Sequence, residues 1–569
     1  MDTDKLNELL LTVQKPGRYT GGEWNSVKKE WTGDKVKVCL AFPDVYEVGM
    51  SYLGIKILYG ILNNREDCLC ERVFAPWKDF ENVLRSNDIK LFSLESRRAL
   101  KEFDIIGFSL AYELCNTNVL NILDLGGIPL RACERGDNDP LIIAGGPSSY
   151  NPEPMAEFVD AFVIGDGEEA IGEIVDGYKA SKPQAVKVSR KRLLRELAEI
   201  EGVYVPSLYK VGYNPDGTIS EFRPIEDGIP EKIKKRVVSN LDEAFYPTKQ
   251  IVPNIQIVHD RVALEIMRGC LHACKFCQAS ATYRPVRERS KNNILKLAKE
   301  AHFHTGYDEI SLLSLSSVDH SKLIEIIECL NSEFAVRSVS ISVPSLRIED
   351  KLRDIPGLVS KVKKSGLTFA PEAASCRLRA IINKNIDIEK LFKAAEESFK
   401  AGWRRVKLYF MIGLPGEEDK DVSDIAELVY KISNLKKAVD GRPANITVSV
   451  NPFIPKPHTP FELEGMDSID ELERKSGILK KAVRSRMIEI DFHPFRMSRL
   501  EAIFSRGDRK LAGAVYCAWR QGARFDGWQD ILDLGVWNDA FRTSGIDQDF
   551  YIKRTIAKNE ILPWGFIDI

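Results

Sequence analysis

Three cysteines, Cys270, Cys274 and Cys277, stand within eight residues in the stretch "EIMRGCLHACKFCQAS". Three thiolates on one loop can hold three corners of an iron–sulfur cube and leave the fourth iron without a protein ligand. Zinc is the competing occupant, since closed zinc sites are structural and open ones can bind substrate. It would need a distant His or Cys as fourth ligand, or His272 from inside the loop. The sequence offers no second cysteine pair at finger-like spacing, which favours iron and sulfur.

The rest of the chain bounds where such a loop operates. Its 569 residues are 44% apolar and 29% charged, the composition of a soluble globular protein with room for three or four domains. With 81 basic and 83 acidic residues, a net charge of −2 gives no global pull toward nucleic acid or membrane. The start, "MDTDKLNELLLTVQKPGRY", lacks the basic flank and small-residue cleavage site of a signal peptide. No uncharged apolar run reaches the ~18 residues that a membrane span requires. A cytoplasmic location is expected, and there the eleven cysteines do not read as a disulfide framework. Those outside the cluster read as buried thiols, Cys68 and Cys70 included.

The cysteine loop needs a scaffold, and hydrophobic periodicity supplies one. From His259 to about Ile490, strand-like runs ("RVALEIM", "EISLLSLSS", "SVSISVPS", "GLTFAPE", "RVKLYFMIG", "NITVSVNPFIP") alternate with helical ones such as "SKNNILKLAKEAHFHTG", with Ser290 as N-cap. Six βα units in ~230 residues predict a complete or partial parallel barrel, with chemistry at the strand carboxyl ends. The cysteine loop follows the first of these strands. A second alternating series spans 36–182 and predicts a doubly wound parallel sheet with helices on both faces. Residues 1–35 form an extension. Residues 183–258 read as a linker with a hairpin at Asn214-Pro215-Asp216-Gly217. Residues 491–569 read as a mainly helical region around Trp519, Trp528 and Trp537.

C-x-x-x-C-x-aromatic-C after the first strand of a six-unit βα series resembles the radical SAM superfamily. The resemblance implies a 4Fe-4S cluster held by Cys270, Cys274 and Cys277, with S-adenosylmethionine on the open iron and one-electron cleavage to a 5′-deoxyadenosyl radical. It implies further cofactor contacts at successive strand ends. Phe276 would lie beside the adenine. "SLSS", with Ser314, Ser316 and Ser317, stands where relatives carry a glycine-rich segment for the methionine amino group. In "PEAASCRLRAIINK", Glu372 would bind ribose hydroxyls, and Ser375 with Lys384 would approach the ribose or carboxylate. "MIGLPGE" would give Ile412, Gly413, Pro415 and Gly416 on the adenine side.

Residues 36–182 resemble the cobalamin-binding-type domain that precedes many radical SAM barrels, forming a Rossmann-like unit. "DVYEVG" (Asp44, Tyr46, Gly49) stands where cobalamin proteins with a lower axial ligand show D-x-H-x-x-G, so Tyr46 replaces the ligating histidine. "GFSL" with Ser109, and "AGGPSSYNPEP" with Gly145 and Gly146, resemble the later cobalamin-side turns; "IGDGEE" recurs at this position in such enzymes. The resemblance extends to "ERVFAPW", "SRLEAIFSRGDRKL" and "LPW", and proteins of that group often continue past this point or adjoin a separate module.

A radical SAM enzyme abstracting hydrogen from an unreactive C–H bond is therefore expected, with methylation if cobalamin binds. Without cobalamin, another radical step follows, such as sulfur insertion, which would call for a second cluster. A non-catalytic iron–sulfur redox sensor that binds RNA or a partner is the alternative, its tail tryptophans stacking bases beside Arg520, Arg524 and Arg542. The substrate is an RNA nucleotide, a protein side chain or a metabolite, and Arg268, Arg404 and Arg405 are available to an anionic one. A reducing partner such as flavodoxin or ferredoxin is implied.

Overall fold

The computed structural model describes residues 3–181, 189–344 and 367–569. The expected boundary at 182/183 lies outside them. Strands β1 (Val36–Phe42), β2 (Cys68–Phe74), β3 (Ile105–Ser109), β4 (Leu141–Gly145) and β5 (Ala161–Val163) form the parallel part of a six-stranded sheet of order β2-β1-β3-β4-β5-β6. Antiparallel β6 (Val203–Tyr204) closes its edge. These strands are apolar on both sides because helices such as Leu53–Asn64 and Gly167–Ala180 cover them. The order reverses between β1 and β3, so the crevice beyond their carboxyl ends is the expected ligand position. β6 lies within the stretch read as linker, so the sheet extends past the expected end of its domain.

β7 (Tyr209–Tyr213) and β8 (Ile219–Pro224) form the expected hairpin, with the Gly217 N–H donating to the Asn214 carbonyl. β9 (Ile233–Lys234) pairs with β19 (Ile567–Asp568), which ties the far end of the chain back to this region.

All six expected strands of the second series are present. β10 (Val262–Glu265), β13 (Glu309–Leu313) and β14 (Ser340–Ser342) form one parallel sheet. β15 (Leu367–Glu372), β16 (Arg405–Ile412), β17 (Asn445–Pro452) and the unforeseen β18 (Ile488–Phe492) form another. Among the described residues no ladder joins the two sheets. Short β11 (Met267–Arg268) and β12 (Arg287–Glu288) pair beside the cysteine loop. On β16 and β17 the alternate residues Val406, Leu408, Phe410 and Ile446, Val448, Val450 are buried, on the face that helices Ile388–Lys400 and Asp419–Asp440 cover. Ser290 caps its helix as the sequence predicts, accepting from the Asn293 N–H, and Asp387 caps another, accepting from the Glu389 N–H.

In the final region Trp537 is buried, with its indole N–H on Asp526, and Trp519 is nearly so. Trp528 packs edge-on against Trp77 and donates to Asp44. These rings are core and interdomain packing, not an array of base-stacking platforms. The segment "SRLEAIFSRGDRKL" clasps the halves together: Arg509 reaches Glu153, and Ser505 bonds Glu113. Among the described residues no helix is long and apolar enough to cross a membrane.

Candidate functional site

Between the carboxyl ends of the first sheet and those of the β10–β13–β14 sheet lies a cavity of ≈ 520 Å³. One wall comes from strand ends and turns of the first sheet, including Leu40, Ser109, Gly145, Gly146 and Gly167. The other comes from Met267, Gly269, Tyr283 and Ser314 of the second unit. Gly146 has φ +110°, and a Cβ there would sit 2.8 Å from the Leu110 carbonyl oxygen, so only glycine turns the chain here. Gly145 and Gly167 are different: a Cβ would make only ordinary contacts at 3.6 Å. What glycine preserves at those two positions is open space on the cavity wall.

The two walls are joined by ions. Arg268 meets Asp166 at 2.9 Å, Glu168 at 2.7 Å and Glu265 at 2.9 Å, and Arg287 meets Asp166 at 2.6 Å. Burial would depress the Arg268 pKa, but the three carboxylates outweigh it and hold it raised. Burial likewise opposes ionisation of Asp166, yet Arg268 and Arg287 hold its pKa below the ordinary value. Arg268 is thus consumed by carboxylates and is not left for an anionic substrate, whereas Arg404 and Arg405 are exposed.

The cysteine loop runs from Gly269 to the short helix Gln278–Thr282. It is docked by backbone bonds: Lys275 N–H to the Ile382 carbonyl at 3.0 Å, and Cys277 N–H to the Cys274 carbonyl at 3.1 Å. Cys274 is buried, and the other two thiols are partly so. Burial pushes the Cys270 and Cys277 thiols up, and the neighbouring cysteines push the same way; Lys384 opposes the rise at Cys277. The three groups therefore share one local field. Among the described residues no trio of metal-ligating side chains is drawn into a finished cage. That suits thiols, which repel one another as thiolates and deprotonate when metal binds. The donor set, three sulfurs on one docked loop, fits an iron–sulfur cluster.

Other expected cofactor residues surround this loop. Phe276 packs on a small separate core of Ala373, Leu378, Ile382, Leu414, Phe453 and Phe461. Glu372 has φ +65° and lies 3.5 Å from Lys384. Burial raises the Glu372 pKa, against the pull of Lys384. The Ser375 hydroxyl caps the helix Cys376–Ile381 and donates to Asp421, so its bonding is already committed. Ser314 and Ser317 hydroxyls are 2.8 Å apart, and the buried Ser316 hydroxyl has no protein partner among the described residues. Ile412 is buried, and Gly413 and Gly416 have φ of +78° and +75° on either side of Pro415. Sequence reasoning missed what holds this turn: Gly413 N–H donates to Glu417 at 2.7 Å, and Glu417 meets Lys475 at 2.8 Å.

The residues expected along the cobalamin side divide. Ser109, Gly145 and Gly146 line the cavity, whereas Asp44, Tyr46 and Gly49 are not on its wall. Asp44 accepts from the Trp528 indole. Tyr46 is buried and donates its hydroxyl to Glu23 of the extension at 2.9 Å. A Cβ at Gly49 would strike Phe74 at 2.4 Å, so that glycine serves packing. Tyr52, Tyr150, Tyr283 and His259, which line the cavity, went unforeseen. The cysteines of the first domain do not gather into a second metal site among the described residues: Cys39, Cys68, Cys70 and Cys115 are buried, and Cys133 is exposed.

Residues 54–206 match the family of amino-terminal regions of radical SAM proteins, and residues 264–429 match the radical SAM superfamily. An uncharacterized protein of Methanocaldococcus jannaschii is 29% identical over 476 residues, covering 84% of this chain and 89% of its own. Among solved structures, the radical S-adenosylmethionine methyltransferase TsrM from Kitasatospora setae, with cobalamin and a 4Fe-4S cluster bound, aligns over 75% of this chain and 74% of its own. The TM-score is 0.50 at 10% identity. OxsB, a cobalamin-dependent S-adenosylmethionine radical enzyme solved with aqua-cobalamin, aligns over 90% of this chain and 72% of its own, with TM-score 0.50 at 13% identity. At such identities these two share the fold with this chain. The chain is a radical SAM protein, its radical SAM domain preceded by an amino-terminal region of the kind such proteins carry. The cofactors that this family implies are a 4Fe-4S cluster and S-adenosylmethionine.

Proposed function

We propose that this is a cobalamin-dependent radical SAM methyltransferase acting on an unactivated carbon. The reading rests on one observation: the ≈ 520 Å³ cavity opens at the switch point of the first sheet and is shared with the strand ends that carry the cysteine loop. Its bare glycine positions and mainly apolar wall suit a large, flat, largely apolar macrocycle. TsrM and OxsB, of the same fold, were solved with cobalamin.

In this reading Cys270, Cys274 and Cys277 hold the cluster, Phe276 supports the adenine, and Glu372 and Lys384 receive the polar end of S-adenosylmethionine. The bound cofactors supply one-electron cleavage of a sulfonium and a methyl group in transferable form. The chain supplies position and exclusion of water. Gly413, held by Glu417, shapes the adenine turn, and Tyr52, Tyr150 and Tyr283 line the cavity. The substrate is an RNA nucleotide, a protein side chain or a metabolite, and the electron comes from a flavodoxin- or ferredoxin-like donor.

The test is product analysis after anaerobic reconstitution with iron, sulfide and hydroxocobalamin, followed by reduction in the presence of S-adenosylmethionine. The reading expects S-adenosylhomocysteine and 5′-deoxyadenosine from the wild type and neither from Cys274→Ala. 5′-Deoxyadenosine alone, with no dependence on added corrinoid, refutes the methyltransferase assignment.

A further inference from the structure

The cysteine loop and the residues that face it hang from different sheets. The loop follows β10, in the β10–β13–β14 sheet, whereas Glu372 ends β15 in the other, and among the described residues no ladder joins the two. A cofactor that touches both is placed only as well as the two sheets are held to one another. On the first side, His272 of the loop meets Asp319, just past the end of β13, at 2.9 Å. On the second side, Lys275 N–H donates to the Ile382 carbonyl at 3.0 Å, Phe461 N–H to the Lys275 carbonyl at 3.3 Å, and the Asn383 side-chain amide to the Ala273 carbonyl at 2.8 Å. The first two of these are backbone bonds, indifferent to which side chains are present. The last depends on Asn383.

The local backbone is set up for that bond. Asn383 has φ +54°, in the left-handed region that asparagine tolerates better than most residues. It turns the chain just after the helix Cys376–Ile381, its N–H donating to the Ala380 carbonyl at 3.2 Å and that of Lys384 to the Arg379 carbonyl at 2.8 Å. The Asn385 amide donates to the Asn383 oxygen at 3.3 Å, which leaves the Asn383 NH2 for Ala273. Glu372, at the other end of this segment, is left-handed as well, and two such residues cost energy that their surroundings must offset. The same turn carries Lys384, which meets Glu372 and lies close enough to Cys277 to oppose the rise that burial imposes on its thiol.

We infer that Asn383 is a positioning residue: by holding Ala273, the neighbour of Cys274, it fixes the cysteine loop against the turn that presents Lys384 to S-adenosylmethionine. The inference rests on the role given to Lys384 and Glu372 above and is independent of the corrinoid. Removing the amide leaves the three thiols and the backbone bonds in place. Its effect therefore falls on how tightly a molecule held from both sheets is bound, and not on whether the cluster forms.

The test uses full-length protein reconstituted anaerobically with iron and sulfide. S-adenosylmethionine affinity is read from the change that its binding makes in the electron paramagnetic resonance signal of the reduced cluster. Asn383→Gly removes the amide and keeps the left-handed turn. Asn383→Asp keeps the size of the side chain but, ionised, has no donor. Both should bind S-adenosylmethionine about 3–10-fold more weakly, the span of one net hydrogen bond, with the iron content and thermal midpoint of the wild type. Lys384→Met separates this inference from the assignment beneath it. Weaker binding in Lys384→Met with wild-type affinity in either Asn383 variant overturns the positioning role alone. Wild-type affinity in Lys384→Met overturns that assignment and the positioning role with it. Iron loss or a lowered thermal midpoint in both Asn383 variants would show a merely structural contact and overturn the inference, and a wild type that takes up no cluster would overturn the cluster assignment as well.

Discussion

Arg268→Met is the substitution whose consequences the structure fixes most tightly. It keeps the length and apolar stem of the side chain but removes the cation that three carboxylates share across the cavity. Asp166 retains Arg287, while Glu168 and Glu265 lose their partner. Deleting one side of a buried ion pair costs about 3–5 kcal/mol, because the remaining charge stays desolvated. For a chain of this size that corresponds to a fall of several degrees in the thermal midpoint, together with faster hydrogen exchange at 164–169 and 265–269, where the two walls meet. The sign of the pH response follows. In the wild type the depressed pKa of Asp166 contributes stability that is present above its unfolded pKa and is lost as pH falls through the folded one. Acidification from neutral toward pH 5 should leave the wild type nearly flat, because that window lies above both values. An unaltered midpoint, or exchange at the two wall segments no faster than in the wild type, would show that the network does not hold the walls together.

Glu417→Ala should weaken S-adenosylmethionine binding by about 10–100-fold, the value of one charge-assisted hydrogen bond of ~1.5–3 kcal/mol, because it removes the acceptor of the Gly413 N–H and one of the two carboxylates on Lys475; calorimetric titration of the reconstituted protein reads it, and an unchanged affinity contradicts the role given to the turn. Gly165→Ala should destabilise by at least ~1–3 kcal/mol, since φ is +106° and the new Cβ would sit 2.2 Å from the Arg236 carbonyl oxygen. Gly167→Ala, two residues on and in the first turn of a helix, should be neutral or stabilising, and the two thermal midpoints together test the local geometry.

How far the sequence reveals this molecule depends on the reach of each determinant. The cysteine loop is a local pattern and stands where its spacing places it, directly after a strand. The cap at Ser290 is equally local. β2 was missed because "CLCERVF" interrupts its apolar run with Glu71 and Arg72, which reads as surface. Both are buried: Arg72 is neutralised by Glu95 at 2.7 Å and by Glu23, and Glu71 accepts from Ser96 at 2.7 Å. Partners so distant along the chain leave no local signal. β18 was missed for the opposite reason, since its five residues alternate as an edge strand does and are too few to distinguish from a turn.

The site divides in the same way. Ser109, Gly145 and Gly146, expected from the same resemblance, line the cavity because turns after strands lie at strand carboxyl ends in any doubly wound sheet. Asp44, Tyr46 and Gly49 were picked by alignment to a motif, and their real environment is set by the amino-terminal extension and by Trp528. The cavity itself belongs to neither domain. Arg268 acquires its meaning only when two units far apart in sequence are brought face to face.

Corrinoid binding to the full-length protein, measured by equilibrium dialysis with hydroxocobalamin beside a Gly167→Phe variant, tests the account most directly. The added ring has room to begin at Gly167, where a Cβ meets only Leu58 at 3.6 Å, and then fills the cavity that this residue lines. The account predicts one corrinoid per wild-type chain and loss of binding in a variant that keeps its thermal midpoint. No binding by the wild type, or equal binding by both proteins, would contradict it.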